Sequence, residues 1–489
     1  MALSVGDDAQ APPHFVLFPY MAQGHILPIV DIARLLAARG VAATILLTPI
    51  NSRRISPLID RAAASGLPIR VALVKFPCAK VGLPEGCENF DMLPSTHDAI
   101  KLTTGAALMK DDVENLLKDR LHPRPTCLIS DMLLPWTTNL ALNLGIPRIV
   151  FHGTSCFAHA MWNVLEASES VKAVASDTEY FTVPDLPDTV QITKAQIRGT
   201  TTQITPDWYV VQQDFFEAER KSFGAVFNTF EDLELKYVEH YRKIRCERAW
   251  CIGPVSMCNK DEVDKAERGN RAAIDEHKCL TWLDSRDHGS VMFVCLGSLS
   301  RMDAGQMIKL GLALEASGRS FVWAVKKSTN EFKAWLSKEN YEERVKGRGL
   351  LIHGWAPQLL ILSHASIGGF LTHCGWNSIM EGISAGLPMA TWPFFGEQFI
   401  NEKFLVDVMK TAVSIGVMPV LFGEEYTVGA HVTSDEIRMA IDQVMDGGDE
   451  GKKRRERARK LGEMARRATA EDGLSYVDMT RLIQDVQNF

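Results

Sequence analysis

Three times along this chain a short apolar run, a stretch with helical spacing, a glycine and a second apolar run follow one another. Few folds accept that order. The first copy opens with residues 15–18, FVLF, and the turn-rich loop 19–25. Residues 26–39, ILPIVDIARLLAAR, then bring Leu27, Val30, Leu35 and Leu36 near one helical face, with Pro28 in an early turn. Gly40 suits a helix C-cap, and VAATILLT (41–48) reads as the next buried strand. The later copy runs through VMFVCL (291–296), the turn Gly297-Ser298, a helix over 304–317, its cap Gly318 and SFVWAV (320–325). A further unit lies at 126–129, 136–144 and 148–151, and strands are expected at 349–355, 368–373 and 387–392. Strand–helix–strand order of this kind closes as a parallel sheet with helices on both faces.

The two sets are separated by 251–289, a polar stretch with few large apolar residues that reads first as an interdomain linker and then as a short helix at 279–283. A chain of 489 residues exceeds what one core holds, which is roughly 250–300. The expected organisation is a domain over 1–255, a second over 256–472, and a terminal helix in 473–489 that packs back on the first domain.

Composition removes several function classes. Lys plus Arg is 53 against 60 for Asp plus Glu, a net charge of −7, and a nucleic-acid binder would need a basic face. The run KKRRERARK (452–460) reads as the solvated face of a helix, diluted by Glu456 and flanking acids. The opening residues carry Asp7 and Asp8 and no basic n-region, and no apolar stretch approaches ~18 residues, so no membrane span is expected and the expected compartment is the cytoplasm. The ten cysteines are scattered with no CxxC pair, so reduced thiols are expected, and neither a zinc site nor a disulfide framework.

The chemistry concentrates in 355–398, WAPQLLILSHASIGGFLTHCGWNSIMEGISAGLPMATWPFFGEQ. GGFLTH is a strand ending at His373, CGWNS a turn, and IMEGISAG a helix. The turn therefore lies between the carboxyl end of a parallel strand and a helix N-terminus, where ligands bind in open sheets and where free N–H groups favour an anion such as a diphosphate. Gly375 permits close backbone approach, Asn377 and Ser378 can donate or cap, and His373 can hydrogen-bond a phosphate oxygen. Trp355, held by Ala356 and Pro357, can present its face to a heterocyclic base. Glu381 can accept hydrogen bonds from a ribose diol. Glu397 and Gln398 follow the next strand and suit sugar hydroxyls. Together these describe a nucleotide-sugar site.

The segment resembles the signature of plant secondary-product UDP-glycosyltransferases, the plant branch of family 1. WAPQ, SH, GGFLTHCGWNS, E, GLP, P, EQ and N all stand in place, and FPYMAQGHILP, GLPEGCENFDMLPS, LISDMLLPW, VFNTFEDLE and VCLGSLS extend the likeness over most of the chain. The resemblance implies two Rossmann-like, doubly wound α/β domains facing across a cleft, the glycosyltransferase-B type. It implies that Trp355 stacks on uracil with Ala356 and Gln358 beside it, and that Glu381 binds the ribose. His373, Gly375, Trp376, Asn377, Ser378 and Ser298 would hold the diphosphate, and Trp376, Glu397 and Gln398 the sugar, with Thr154 a further sugar contact or only a loop cap. The final Gln favours UDP-glucose over UDP-galactose, and Trp376, where some glucuronosyl-transferring members carry Arg, points to glucose as well. Gly396 and Glu397 stand where relatives often have Ala and Asp.

The resemblance also supplies the base. His25 follows the first strand and Asp131 follows the strand at 126–130, at the same sheet edge, and an Asp on one imidazole nitrogen leaves the other free to take a proton. His25 would deprotonate an acceptor hydroxyl, which attacks the anomeric carbon with inversion and needs neither metal nor cofactor. Candidate walls for a lipophilic acceptor of flavonoid, triterpenoid or steroid type include Met92, Phe157, Met161, Trp208 and Phe215, all of which are equally good core residues. A monomer is expected. A dinucleotide oxidoreductase is the second reading, but the one Gly-x-Gly, Gly347-Arg-Gly349, precedes a strand and lacks the third glycine. A non-catalytic UDP-sugar-binding protein is the third, and His25 with Asp131 speaks against it.

Overall fold

The structure is a computed structural model that describes residues 12–95, 98–201, 214–300, 302–326, 328–422, 425–428 and 432–489. Two parallel sheets form its frame. The first holds β1 (His14–Phe18), β2 (Ala42–Leu47), β3 (Ile69–Leu73), β4 (Cys127–Asp131), β5 (Arg148–His152), β6 (Gly224–Phe227) and β7 (Ala249–Cys251), in the order β3-β2-β1-β4-β5-β6-β7. The second holds β8 (Val291–Cys295), β9 (Ser320–Val325), β10 (Gly349–His353), β11 (Ile367–Thr372), β12 (Met389–Thr391) and β13 (Ala412–Ser414), in the order β10-β9-β8-β11-β12-β13. Every pairing in both is parallel.

Each sheet starts at its centre, builds out to one edge and then crosses back, so its order reverses between β1 and β4 in the first and between β8 and β11 in the second. A crevice opens beyond the carboxyl ends at such a reversal. The two domains turn these crevices toward each other across one cleft. The central strands are buried on both faces: all residues of β1, β4, β5 and β11 are buried. That double burial is why they read as unbroken apolar runs.

The first helix departs from expectation. It spans Gln23–Ala37, so His25 sits inside it and not in the preceding loop. Pro28 lies within the helix and has no N–H for the carbonyl of its i−4 neighbour, Gly24. That carbonyl finds its donor outside the helix, as described below. Asp131, too, is the last residue of β4 and does not follow it, and Glu381 lies in the middle of the helix Trp376–Ser384.

The helix Leu474–Gln487 packs on the first domain, where Met479, Leu482 and Val486 join the cluster containing Phe15 and Ile26. Its Asp478 accepts the Cys251 N–H at 2.9 Å and its Ser475 hydroxyl donates to the Gly253 carbonyl at 2.6 Å. Residues 255–270 are not a free tether. Asp264 is clamped by Arg34 and Arg61, and Asn259 Nδ2 donates to Asp31 at 3.0 Å. The basic run lies on the helix Asp449–Thr469, where Lys453–Glu450, Arg459–Glu463 and Lys460–Glu456 pair on the exposed surface. All ten cysteines are free thiols. Among the described residues no helix is long and apolar enough to cross a membrane.

Candidate active site

One wall of the cleft is built by the first domain. His25 Nδ1 lies 2.7 Å from Asp131 Oδ2, joining the first helix to the end of β4. Asp131 is fully buried, and its other oxygen accepts the Leu133 N–H at 3.0 Å, which fixes the carboxylate plane. The His25 ring is 27% exposed on the cleft side, with the Tyr20 ring edge-on at 5.7 Å. Burial disfavours its charged form, but the charge and hydrogen bond of Asp131, with a smaller contribution from Glu397, outweigh that and raise its pKa above the ordinary value.

The facing wall is built by the second domain. The helix Trp376–Ser384 begins after Gly375 with no side-chain cap, so its first N–H groups have no helical partner and face the cleft. The turn before it holds Cys374 at φ 65°, an uncommon conformation for a non-glycine residue. Asn401 Nδ2 secures that turn by donating to the Cys374 carbonyl at 3.0 Å. The His373 ring lies between two glycines: a Cβ on Gly297 or on Gly375 would each come 2.4 Å from its Nε2. Burial, and then the Lys326 charge, push its pKa down to about 4, so the ring is neutral near pH 7. Its Nδ1 is buried without a partner.

Most residues expected from the sequence line this one cleft: His25, Ser298, Trp355, Ala356, Gln358, His373, Gly375, Trp376, Asn377, Ser378, Glu381, Glu397 and Gln398. Gln358 Nε2 donates to Ser378 Oγ at 3.0 Å and to Glu381 Oε2 at 2.8 Å. Gln398 is nearly buried, and its Oε1 accepts the backbone N–H groups of Phe394 (2.9 Å) and Phe395 (3.3 Å). Its Nε2 is thus the end left for a ligand. Burial raises the Glu397 pKa, offset in part by its own backbone and by His25.

Two expected diphosphate residues do something further. The Asn377 side chain reaches the first domain, where Nδ2 donates to the Gly24 carbonyl and Oδ1 accepts from Asn228 Nδ2 at 2.9 Å. Trp376 is 1% exposed and its indole N–H donates to the Asn228 carbonyl at 2.9 Å. Both side chains therefore help to form the seam between the domains, and their backbone N–H groups are what the helix terminus offers to an anion.

The acceptor wall was less legible. Phe157 and Met161 have no exposed surface; Phe157 packs against the Tyr237 and Phe404 rings at 4.9 and 5.1 Å. Both are core, because they sit on the inward face of the helix Cys156–Ala167. Phe215 is buried, Met92 is 38% exposed, and Trp208 lies outside the described residues. Thr154 has a buried hydroxyl with no partner beside Gly153, which lines the cleft.

Sequence reasoning missed Arg268, Asn228, Lys326 and Gln23. Lys326 follows β9 at the cleft and lies 4.7 Å above the Trp355 ring. Its position just past a strand end was the available signal. Among the described residues one buried group has metal-ligating residue types, His152, His159 and Glu219. None of its members lines the cleft: His152 Nε2 lies 2.8 Å from Glu219 and the Tyr241 hydroxyl donates to the same carboxylate, while His152 Nδ1 and His159 Nε2 are buried without a hydrogen-bond partner.

Comparison with known proteins agrees with this geometry. Residues 270–446 match the family model described as UDP-glucoronosyl and UDP-glucosyl transferase. UDP-glycosyltransferase 73E1 of Stevia rebaudiana is 50% identical over 97% of each chain. UDP-glycosyltransferase 73C4 of Arabidopsis thaliana is 47% identical over 99% of this chain and 98% of its own. Among solved structures, Glycyrrhiza uralensis UGT73P12, complexed with glycyrrhetinic acid 3-O-monoglucuronide, superposes with a TM-score of 0.90 at 36% identity, covering 98% of this chain and 96% of its own. Phytolacca americana UGT2, complexed with UDP-2fluoro-glucose and pterostilbene, gives a TM-score of 0.76 at 26% identity, covering 97% of this chain and 100% of its own.

Proposed function

The chain belongs to the UDP-glycosyltransferase family and is a glycosyl-transferring enzyme of the glycosyltransferase-B fold; from that premise we propose that it moves glucose from UDP-glucose to a hydroxyl of a lipophilic plant small molecule of flavonoid, triterpenoid or steroid type. The observation that carries this reading is a single cleft with the His25–Asp131 pair on one wall and an uncapped helix N-terminus beside His373 on the other.

The uracil lies on Trp355, the ribose diol on Glu381, and the diphosphate on the N–H groups of the helix Trp376–Ser384 with Ser298, Ser378 and neutral His373. Glu397 and the Gln398 amide hold the sugar hydroxyls, with the Thr154 hydroxyl as a further donor. An acceptor hydroxyl gives its proton to His25 Nε2 as its oxygen bonds to the anomeric carbon. The bond from that carbon to the diphosphate oxygen breaks in the same displacement, so the configuration inverts and UDP leaves. Asp131 holds the imidazole tautomer and offsets the imidazolium that forms. The negative charge that develops on the diphosphate is met by preorganised N–H and O–H donors, which lower the barrier without a bound metal. The UGT73P12 complex with a triterpenoid glucuronide supports a lipophilic acceptor, and the Gln at 398 supports glucose.

The test incubates the purified protein with UDP-glucose, or separately UDP-galactose and UDP-glucuronic acid, and a panel of flavonols, triterpenoids and steroids. UDP release with a product heavier by one hexosyl unit, retained in EDTA, is expected with UDP-glucose. Tight UDP-glucose binding with no product across the panel would favour a binding protein. Transfer from another donor alone would overturn the glucose assignment.

A further inference from the structure

Residues 268–270, Arg-Gly-Asn, lie in the stretch that the sequence reads as a linker, yet each one touches a different part of the cleft. The Arg268 guanidinium is 6% exposed and bridges two buried carboxylates from different domains. Its Nε and Nη2 lie 2.9 and 2.8 Å from Asp31 Oδ2, on the same first helix as His25. Its Nη1 lies 2.5 Å from Glu381 Oε1. Gly269 has φ 108°, and a Cβ there would come within 2.5 Å of the Trp355 ring. Asn270 Oδ1 accepts from Gln23 Nε2 at 3.0 Å, again on the first helix. The segment itself is anchored, because Asp264 is held by Arg34 and Arg61.

We propose that Arg268 is a positioning residue for the nucleoside end of the donor: it ties Glu381 to Asp31 and so aims the Glu381 carboxylate at the ribose diol from a fixed point on the first domain. The proposal rests on the reading of Glu381 as the ribose acceptor. Its physical basis is geometric. Gln358 takes Glu381 Oε2 and Arg268 takes Oε1, so the carboxylate is held from both ends and cannot swing. A side chain held in this way delivers its remaining lone pairs in one direction, which is what bidentate recognition of a diol needs. Without Arg268, Glu381 would be a buried, half-paired charge free to turn toward solvent. The two carboxylates hold the guanidinium protonated: burial opposes its charge, but Asp31 and Glu381 more than offset it and raise its pKa.

The test compares UDP with 2′-deoxy-UDP by calorimetry on the full chain. Wild-type protein is expected to prefer UDP by about tenfold or more, since a hydrogen bond to a charged group is lost in the deoxy ligand. Arg268→Met should bring the two ligands within about threefold, and Arg268→Lys should restore part of the preference. Glu381→Gln combined with Arg268→Met should discriminate no less than Glu381→Gln alone. If Arg268→Met does not fold, Arg268→Met with Asp31→Asn removes the cation together with one of its carboxylates and carries the same comparison. A purely structural role would weaken both ligands equally and leave the ratio unchanged; an unchanged or larger ratio overturns the proposal. Wild-type protein that binds UDP but ignores the 2′-hydroxyl overturns it too, while the donor site stands. Wild-type protein that does not bind UDP at all overturns the proposed function and this inference with it.

Discussion

The Asn377 side-chain amide donates to the carbonyl of Gly24, the oxygen whose helical donor Pro28 cannot supply. A proline that should weaken the first helix thereby leaves an acceptor for the opposite domain, on the residue just before His25. Asn228 completes the seam by meeting Asn377 at 2.9 Å and the Trp376 indole at 2.9 Å. Asn377→Asp places a carboxylate oxygen against the Gly24 carbonyl and near the diphosphate. Calorimetry should then give a UDP affinity lower by about tenfold or more, and thermal unfolding should occur earlier by a few degrees. Wild-type values in both measurements would mean that this contact does not hold the domains together.

His25→Ala should abolish measurable transfer, a loss of about 10²–10⁴, while UDP binding stays within about threefold of wild type, because the ring lies on the acceptor wall. Product formation and UDP calorimetry on the same preparation separate the two effects. A mutant that still glucosylates at the wild-type rate would remove His25 from the mechanism.

The pH profile follows from the same pair. His25 must be neutral to take a proton, and Asp131 raises its pKa above the ordinary 6.5 against the opposing effect of burial. Activity should therefore rise with pH on a limb centred above 6.5. Asp131→Asn removes the charge that favours imidazolium, so burial then dominates and the limb should move to lower pH, with kcat lower by about a hundredfold or more. The stability sign is opposite to the activity sign. A raised folded-state pKa contributes stability that is complete below 6.5 and is lost as pH climbs through the folded value. An acid limb that does not move in Asp131→Asn would show that another group titrates.

The central strands were legible because burial on both faces leaves an unbroken apolar run: 320–325 was read with the bounds that β9 has. The turn between the strand Ile367–Thr372 and the helix Trp376–Ser384 was legible because its signals are local in the chain. Helix starts were harder, and Pro28 pushed the first one past His25, although the missing N–H is made good from another domain. β3, β6, β7 and β13 went unread because they are short or mixed, as in IRVAL with its half-exposed pattern. Arg268 could not be read at all. Its partners lie 237 and 113 residues away, and nothing near it in sequence tells a buried bridge from a solvated linker charge. Phe157 and Met161 stayed open between core and acceptor wall for a related reason, since apolar periodicity marks an inward face without saying whether a core or a ligand fills it, and both are fully buried.

Gly375 is needed for the room it gives His373. Its φ of −64° and ψ of 136° suit any residue, so Ala at this position costs nothing in backbone conformation. The Cβ, however, would lie 2.4 Å from His373 Nε2 and must displace the ring. Gly375→Ala should weaken UDP binding by about tenfold or more with little change in thermal stability. In a His373→Ala background the same substitution should cost little more, because the obstructed ring is already gone. A double-mutant cycle by calorimetry reads this directly. Additive losses would mean that Gly375 serves the diphosphate through its own backbone and not through the histidine.

The terminal helix supports the first domain through the cluster it joins. Leu482 is fully buried in the cluster formed with Phe15 and Ile26, the residues that hold β1 and the first helix in place. Leu482→Ala should cost about 2–5 kcal/mol from lost burial and the cavity left behind. Because the same helix secures β7 through Asp478 and the Cys251 N–H, the loss should appear as earlier unfolding of the first domain. On the proposed reading UDP sits on residues of the second domain, and it should protect that domain by mass action without restoring the first. Calorimetric scanning of Leu482→Ala with and without saturating UDP should therefore separate into two transitions, the lower insensitive to UDP. A single transition that UDP shifts as a whole would instead show that the seam built by Asn228, Trp376 and Asn377 couples the domains more strongly than their separate cores hold together.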